Sequence, residues 1–241
     1  MPSHPTKTPL PLLGTLEDQR EAVVGGLLAV FLTAGYVLAA NFFDTGTNRV
    51  EILALWASLA CVWLARTENI WTMPYGIVSV LLLGWYLISI DLVGQGWLQY
   101  VYYVPVQFAG WWAWARGGPS RTELRVSRVS PLGWMLLILL GIPSWIGIAV
   151  IFRVLYEDPS YLIWDTSIVA SSVIAQTLMT FKKRESWWFW TIPVNVSAIG
   201  LFVRTETWAF VFLYGVFLIN SIWGWWKWNE EEGNISRQFA Q

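Results

Sequence analysis

Long apolar runs alternate with short polar stretches along this chain. The runs fall at about 22–40, 50–66, 71–90, 97–115, 132–154, 161–181, 187–203 and 207–228. About 20 helical residues cross a hydrocarbon core about 30 Å thick, so each run suits a bilayer-spanning helix. The pattern predicts an all-α polytopic membrane protein with eight transmembrane helices. Residues 1–21 and 229–241 read as cytoplasmic tails, 22–40 as an extra N-terminal helix and 132–154 as a linker helix. Residues 1–21 lack the short apolar core and small-residue site of a cleavable signal, so the first run is expected to stay.

Two motifs occur twice, in the same order. Trp71-Thr72-Met73-Pro74-Tyr75-Gly76 matches Trp190-Thr191-Ile192-Pro193-Val194-Asn195. Gly110-Trp111-Trp112-Ala113-Trp114 matches Gly224-Trp225-Trp226-Lys227-Trp228. Ordered self-similarity of this kind marks an internal duplication. The first three-helix repeat covers 50–115 and the second 161–228, with the linker helix between them. A single intervening helix gives both triplets one membrane orientation, a 3+1+3 parallel repeat. Repeats so related share an axis along the membrane normal, and substrates of such proteins sit near the midplane at the repeat interface.

Charge orients the chain. Eight crossings place both termini on one side. That side collects Lys7, Arg20, Arg66, Arg116, Arg121, Arg125, Arg128, Lys182, Lys183, Arg184, Lys227 and Arg237; the other holds only Arg49, Arg153 and Arg204. The positive-inside rule puts both termini in the cytoplasm. Composition agrees with a membrane protein, since only 13% of residues are charged against roughly a quarter in soluble domains. A net charge of −1 gives no reason to expect a nucleic-acid partner.

Catalytic chemistry finds little support. The one cysteine, Cys61, and the one histidine, His4, supply neither a metal pair nor a nucleophile-base set. No Gly-rich phosphate loop ending in Lys-Ser or Lys-Thr is present. The sequence therefore predicts no enzyme activity, no metal and no cofactor. Recognition by indoles and amides remains.

Four amides fall at similar depth below the cytoplasmic face. Asn195 and Gln107 lie roughly 13 Å in, Asn220 roughly 10 Å and Gln176 roughly 9 Å. They are read either as interhelical glue or as a binding site in the cytoplasmic half of the membrane. Regular helical spacing puts Trp187 and Trp190 on one face, and Trp188, Thr191 and Asn195 on the next. Pro193 cannot donate an N–H, so the Phe189 carbonyl needs another partner. Trp112, Trp114, Trp225, Trp226 and Trp228 read as an interfacial belt. Glu51 and Asp165, at matching helix starts, read either as carboxylates at positive helix ends or as entrance contacts for a cationic solute.

These residues resemble the PnuC family, bacterial vitamin transporters of the nicotinamide riboside type, over about 50–228. The resemblance rests on Trp164-Asp165, Met179-Thr180, Glu185, the Trp187/Trp190 pair, Asn195, Asn220 with Trp223, and Gln107 through Gly110-Trp111 to Trp114. It implies two three-helix bundles joined by a linker helix, as in SWEET sugar transporters, assembled as a homotrimer in the bacterial inner membrane. It implies facilitated diffusion of nicotinamide riboside, trapped by a cytoplasmic riboside kinase. Thiamine, a similar vitamin or a sugar is the alternative cargo. The implied substrate-binding set is Trp187, Trp190, Asn195 and Asn220 with Gln107; Trp188, Trp223, Trp111, Gln176 and Asp165 complete the candidates. An indole face suits a pyridinium cation, and amides suit a carboxamide and hydroxyls.

Overall fold

The computed structural model describes residues 11–42, 48–89, 93–155, 162–204 and 208–239. The expected tail residues 1–10 lie outside them, as do the expected helix ends at Ile90, Tyr161 and Thr207. Among the described residues the regular structure is all-helical, without a strand. Its long helices are α1 (Leu16–Phe42), α2 (Arg49–Arg66), α3 (Thr72–Ser89), α4 (the consecutive segments Val93–Leu98, Gln99–Tyr103 and Val104–Arg116), α5 (Pro131–Leu155), α6 (Leu162–Thr180), α7 (Ser186–Arg204) and α8 (Trp208–Phe239). Four of them meet a length-and-hydropathy criterion for crossing a membrane unaided: α1, α5, α6 and α7. α2 is diluted by Arg49, Glu51 and Arg66 at its ends, and the apolar part of α3, Thr72–Tyr86, is shorter.

Two helices outrun their apolar segments. α1 starts at Leu16 because Thr15 caps it: Asp18 N–H donates to Thr15 Oγ1 (3.2 Å) and Thr15 N–H to Asp18 Oδ2 (2.6 Å). That reciprocal pair satisfies two otherwise orphaned donors. α8 continues beyond Trp228 to Phe239 through Glu230, Glu231 and Glu232, which are good helix formers. Hydropathy marks where a helix leaves the bilayer, not where it ends.

The chain forms two compact units, Met1–Arg125 and Val126–Gln241. In the first, α1 and α2 pack together and both bury small residues, Ala22, Gly25, Gly26 and Ala29 on α1 and Ala54, Ala57 and Ala60 on α2, with Gly25 lying against Trp63 and Leu64. Small residues allow the close backbone approach that drives helix association in lipid. Gly26 receives Trp56, whose Nε1–H donates to its carbonyl (3.0 Å), and a Cβ there would come within 2.6 Å of the Tyr75 hydroxyl.

The polar N-terminal stretch is strapped onto this unit. Trp71 Nε1–H donates to the Leu13 carbonyl (2.9 Å) and Trp111 Nε1–H to the Leu12 carbonyl (2.7 Å). Asn69 Nδ2 donates to the Asp18 carbonyl (3.0 Å) and to Glu21 Oε2 (3.1 Å).

In the second unit α5 packs against α6, with Gly141 near Ile174, and Trp134 stacks on Phe189 of α7. None of the most apolar window of α5 is buried. A surface apolar all round suits hydrocarbon rather than water. The polar end of this unit is clamped by charge. Arg128 donates twice to Glu232, from Nε (2.9 Å) and NH2 (2.8 Å), and Arg184 NH1 reaches the same carboxylate at 3.2 Å. This bidentate pairing raises the pKa of the Arg128 guanidinium above its ordinary value. Ser127 N–H donates to the Lys182 carbonyl and Arg184 N–H to the Ser127 carbonyl. The polar extension of α8 is thereby tied to the loop before α5 and to the α6–α7 turn.

Candidate functional site

Pro193 shapes the second unit's candidate residues. It lies eight residues into α7, and Trp190–Val196 around it is a π-helical turn. In such a turn each carbonyl pairs with the N–H five residues on. The turn therefore steps over the donor that Pro193 lacks, which answers the demand at the Phe189 carbonyl. Pro74 lies in the first turn of α3, where a missing donor costs nothing. A second π turn, Gln99–Tyr103, precedes Pro105 in α4, with Val104 N–H donating to the Gln99 carbonyl. Pro105 gave no warning of it in the hydropathy pattern.

The extra residue of the π turn rotates the faces of α7. Thr191 and Asn195 share a face, but Trp188, expected beside them, is 44% exposed and edges against Phe189. Trp187 and Trp190 also have separate surroundings. Trp187 is 2% exposed and meets Trp228 edge-on at 5.5 Å. Its ring lies on Gly224, where any Cβ would come within 2.6 Å of the indole. The Trp187 Nε1–H is buried and has no acceptor among the described residues, a costly state that an added acceptor relieves. Trp190 packs on the cluster of Ile168, Val194, Ala198 and Leu201.

Asn195 is 2% exposed and its Nδ2 donates to Ser221 Oγ of α8 at 3.3 Å. Ser221 Oγ donates in turn to the Leu218 carbonyl (2.9 Å). Thr191 Oγ1 donates to the Trp187 carbonyl (2.7 Å) and, in a three-centre arrangement, to Ser221 Oγ (3.1 Å). Asn220 is buried beside Ser221, Trp223 is exposed and Gln176 is half-buried on α6. The side chain of Asp165 lies outside the described residues.

In the first unit Gln107 of α4 is buried against Gly76 of α3. A Cβ on Gly76 would lie 2.6–2.8 Å from all three terminal atoms of the Gln107 amide. The motif register pairs Gly76 with Asn195, and Gln107 with Ser221. The same two positions therefore meet in both units. In the first the amide is on α4 and faces a glycine; in the second it is on α7 and faces a serine. Sequence reading passed over Ser221. Its signal was present, three residues before Gly224 as Gln107 is three before Gly110.

The belt expectation needs correction. Trp114 and Trp228 are not belt residues, being 1% and 0% exposed; Trp112 and Trp226, at 62% and 74%, fit a belt. Burial depends on helix face, which depth alone does not give. Trp111 is held by the Leu12 carbonyl. Glu51 accepts from Tyr36 OH (2.6 Å) and from the Asn48 N–H (3.3 Å) of its own helix cap. Its carboxylate serves the cap and a neighbouring helix, the helix-end reading of the two.

A family model described as nicotinamide mononucleotide transporter matches residues 48–230. The chain belongs to that transporter family. The match takes in both amide pairs and both π turns, and leaves α1 outside. Among relatives, the nicotinamide riboside transporter PnuC of Neisseria mucosa is 29% identical over 184 residues, covering 71% of this chain and 68% of the relative. The Escherichia coli nicotinamide riboside transporter PnuC is 26% identical over 185 residues, covering 66% of this chain and 76% of the relative. A crystal structure of the vitamin B3 transporter PnuC is similar with a TM-score of 0.70 and 21% identity, over 92% of this chain and 99% of that one. That likeness supports the fold. Family and apolar helices together make this a multi-pass membrane protein.

Proposed function

We propose that this chain carries nicotinamide riboside across the bacterial inner membrane by facilitated diffusion. The observation that carries the reading is the family match over residues 48–230, joined by relatives that bear the name nicotinamide riboside transporter. The family description names the mononucleotide, but the polar groups gathered at Asn195 are hydroxyls and a carbonyl. A phosphate calls for Arg or Lys, whereas a carboxamide and ribose suit amides and hydroxyls.

Recognition is assigned to Trp187, Trp190, Asn195 and Asn220 in the second unit and Gln107 in the first, with Trp188, Trp223, Trp111, Gln176 and Asp165 as further candidates. The architecture is eight crossings with both termini cytoplasmic: a SWEET-like pair of three-helix repeats, 50–115 and 161–228, joined by α5. The shared burial pattern of the two Gly-Trp-Trp motifs supports that duplication. The protein works as a homotrimer without catalysis, and a cytoplasmic riboside kinase traps the solute. No residue is assigned to a proton or sodium relay, so transport runs downhill. The test is uptake into liposomes containing only this chain, with thiamine, sugars and nicotinamide mononucleotide as competitors. Uptake of nicotinamide riboside to equilibrium supports the reading. Preference for another solute, or accumulation driven by an ion gradient, contradicts it.

A further inference from the structure

We propose that Ser221 is a positioning residue: it turns the Asn195 amide so that its carbonyl oxygen faces the solute, making recognition selective for a carboxamide over a carboxylate. The inference rests on Asn195 being a recognition residue, as proposed above.

A serine hydroxyl has a single hydrogen and two lone pairs. Ser221 gives its hydrogen to the Leu218 carbonyl, three residues earlier on α8. Toward α7 it therefore presents lone pairs only. The Thr191 hydroxyl meets them as a shared donor and Asn195 Nδ2 meets them at 3.3 Å. The opposite amide orientation would set Asn195 Oδ1 against those lone pairs, and Ser221 could pair with it only by withdrawing its hydrogen from the Leu218 carbonyl. Ser221 thus disfavours the flip, although both amide faces have the same shape. Nδ2 and Oδ1 are held about 120° apart on one planar carbon, so Oδ1 is directed away from Ser221.

An outward carbonyl oxygen accepts hydrogen bonds and gives none. It pairs with the N–H of a carboxamide or with a hydroxyl, and it repels a carboxylate. A site whose buried acceptor meets a group without a donor loses affinity strongly, because the acceptor is left unpaired. Asn195 is 2% exposed, so water is a poor substitute.

The test is calorimetric titration of the purified full chain with nicotinamide riboside and with nicotinic acid riboside, which has a carboxylate in place of the carboxamide. The parent should prefer the amide. Ser221→Ala removes the lone pairs that fix the orientation. It should lose roughly 5- to 10-fold for the amide, change little for the acid, and so narrow the ratio. Ser221→Thr retains the hydroxyl and should retain the parent ratio. Ser221→Cys, of similar volume with a weaker acceptor, should fall between and replaces Ser221→Ala if that variant is not monodisperse. A parent ratio in Ser221→Ala or, in its place, Ser221→Cys overturns the positioning role. Asn195→Leu, run alongside, separates the two failures. If it binds like the parent, the assignment of Asn195 to recognition is wrong; if it loses binding while the Ser221 ratio is unchanged, only the positioning role is wrong.

Discussion

The two units solve one packing problem with exchanged chemistry. In each, the helix bearing the Trp-Thr-x-Pro motif touches the helix bearing the Gly-Trp-Trp motif at equivalent positions. The first unit sets Gln107 on Gly76; the second sets Asn195 on Ser221. A long amide needs a glycine opposite it. A short amide leaves room for a hydroxyl, and the hydroxyl fixes its direction. The contact is kept while donors and acceptors are redistributed, so two units alike in motif present different polar chemistry. The units also differ in backbone. The proline of the first lies in the first turn of α3, while that of the second lies inside α7 and widens it into a π turn.

What the units share breaks first under mutation. Trp114 and Trp228 are equivalent and both fully packed. Trp114→Ala and Trp228→Ala should each cost about 3–5 kcal/mol of stability, read as a lower Tm of the purified protein. If only one is sensitive, the motifs are equivalent in sequence and not in packing. Gly224→Ala drives a Cβ into the Trp187 ring and should cost about 1–3 kcal/mol by overpacking, read in the same melt. A smaller effect, about 1 kcal/mol in binding, is expected from Gly76→Ala, which pushes the Gln107 amide from its seat. Gln107→Asn, shorter by one methylene, should restore part of that affinity in the double variant; absence of rescue would mean the contact does not position the amide. The smallest effect belongs to Trp226→Phe, which should stay within about 0.5 kcal/mol in stability and binding because Trp226 is 74% exposed.

The comparison also marks what sequence can and cannot carry. The duplicated motifs and the apolar runs were plain, because they are local in the chain. Helix ends were not: Thr15 and Asp18 extend α1 and the glutamates extend α8, neither through hydropathy. Faces were harder still. Trp114 and Trp112 have the same composition and nearly the same depth, yet one is buried and the other exposed. The π turn at Pro193 moved Trp188 off the face that regular spacing assigns it. The role of the N-terminal strap was invisible, since Trp71 and Trp111 meet carbonyls some sixty and a hundred residues away.

The central claim is that a buried amide in the second unit recognises nicotinamide riboside. Its most direct test is calorimetric titration of purified Asn195→Leu against the parent, with Trp226→Phe as the control. The leucine leaves solute groups unpaired, which costs about 1–3 kcal/mol, or roughly 5- to 150-fold in affinity; Trp226→Phe should bind as the parent does. Parental affinity in Asn195→Leu, with a normal melt, would contradict the account.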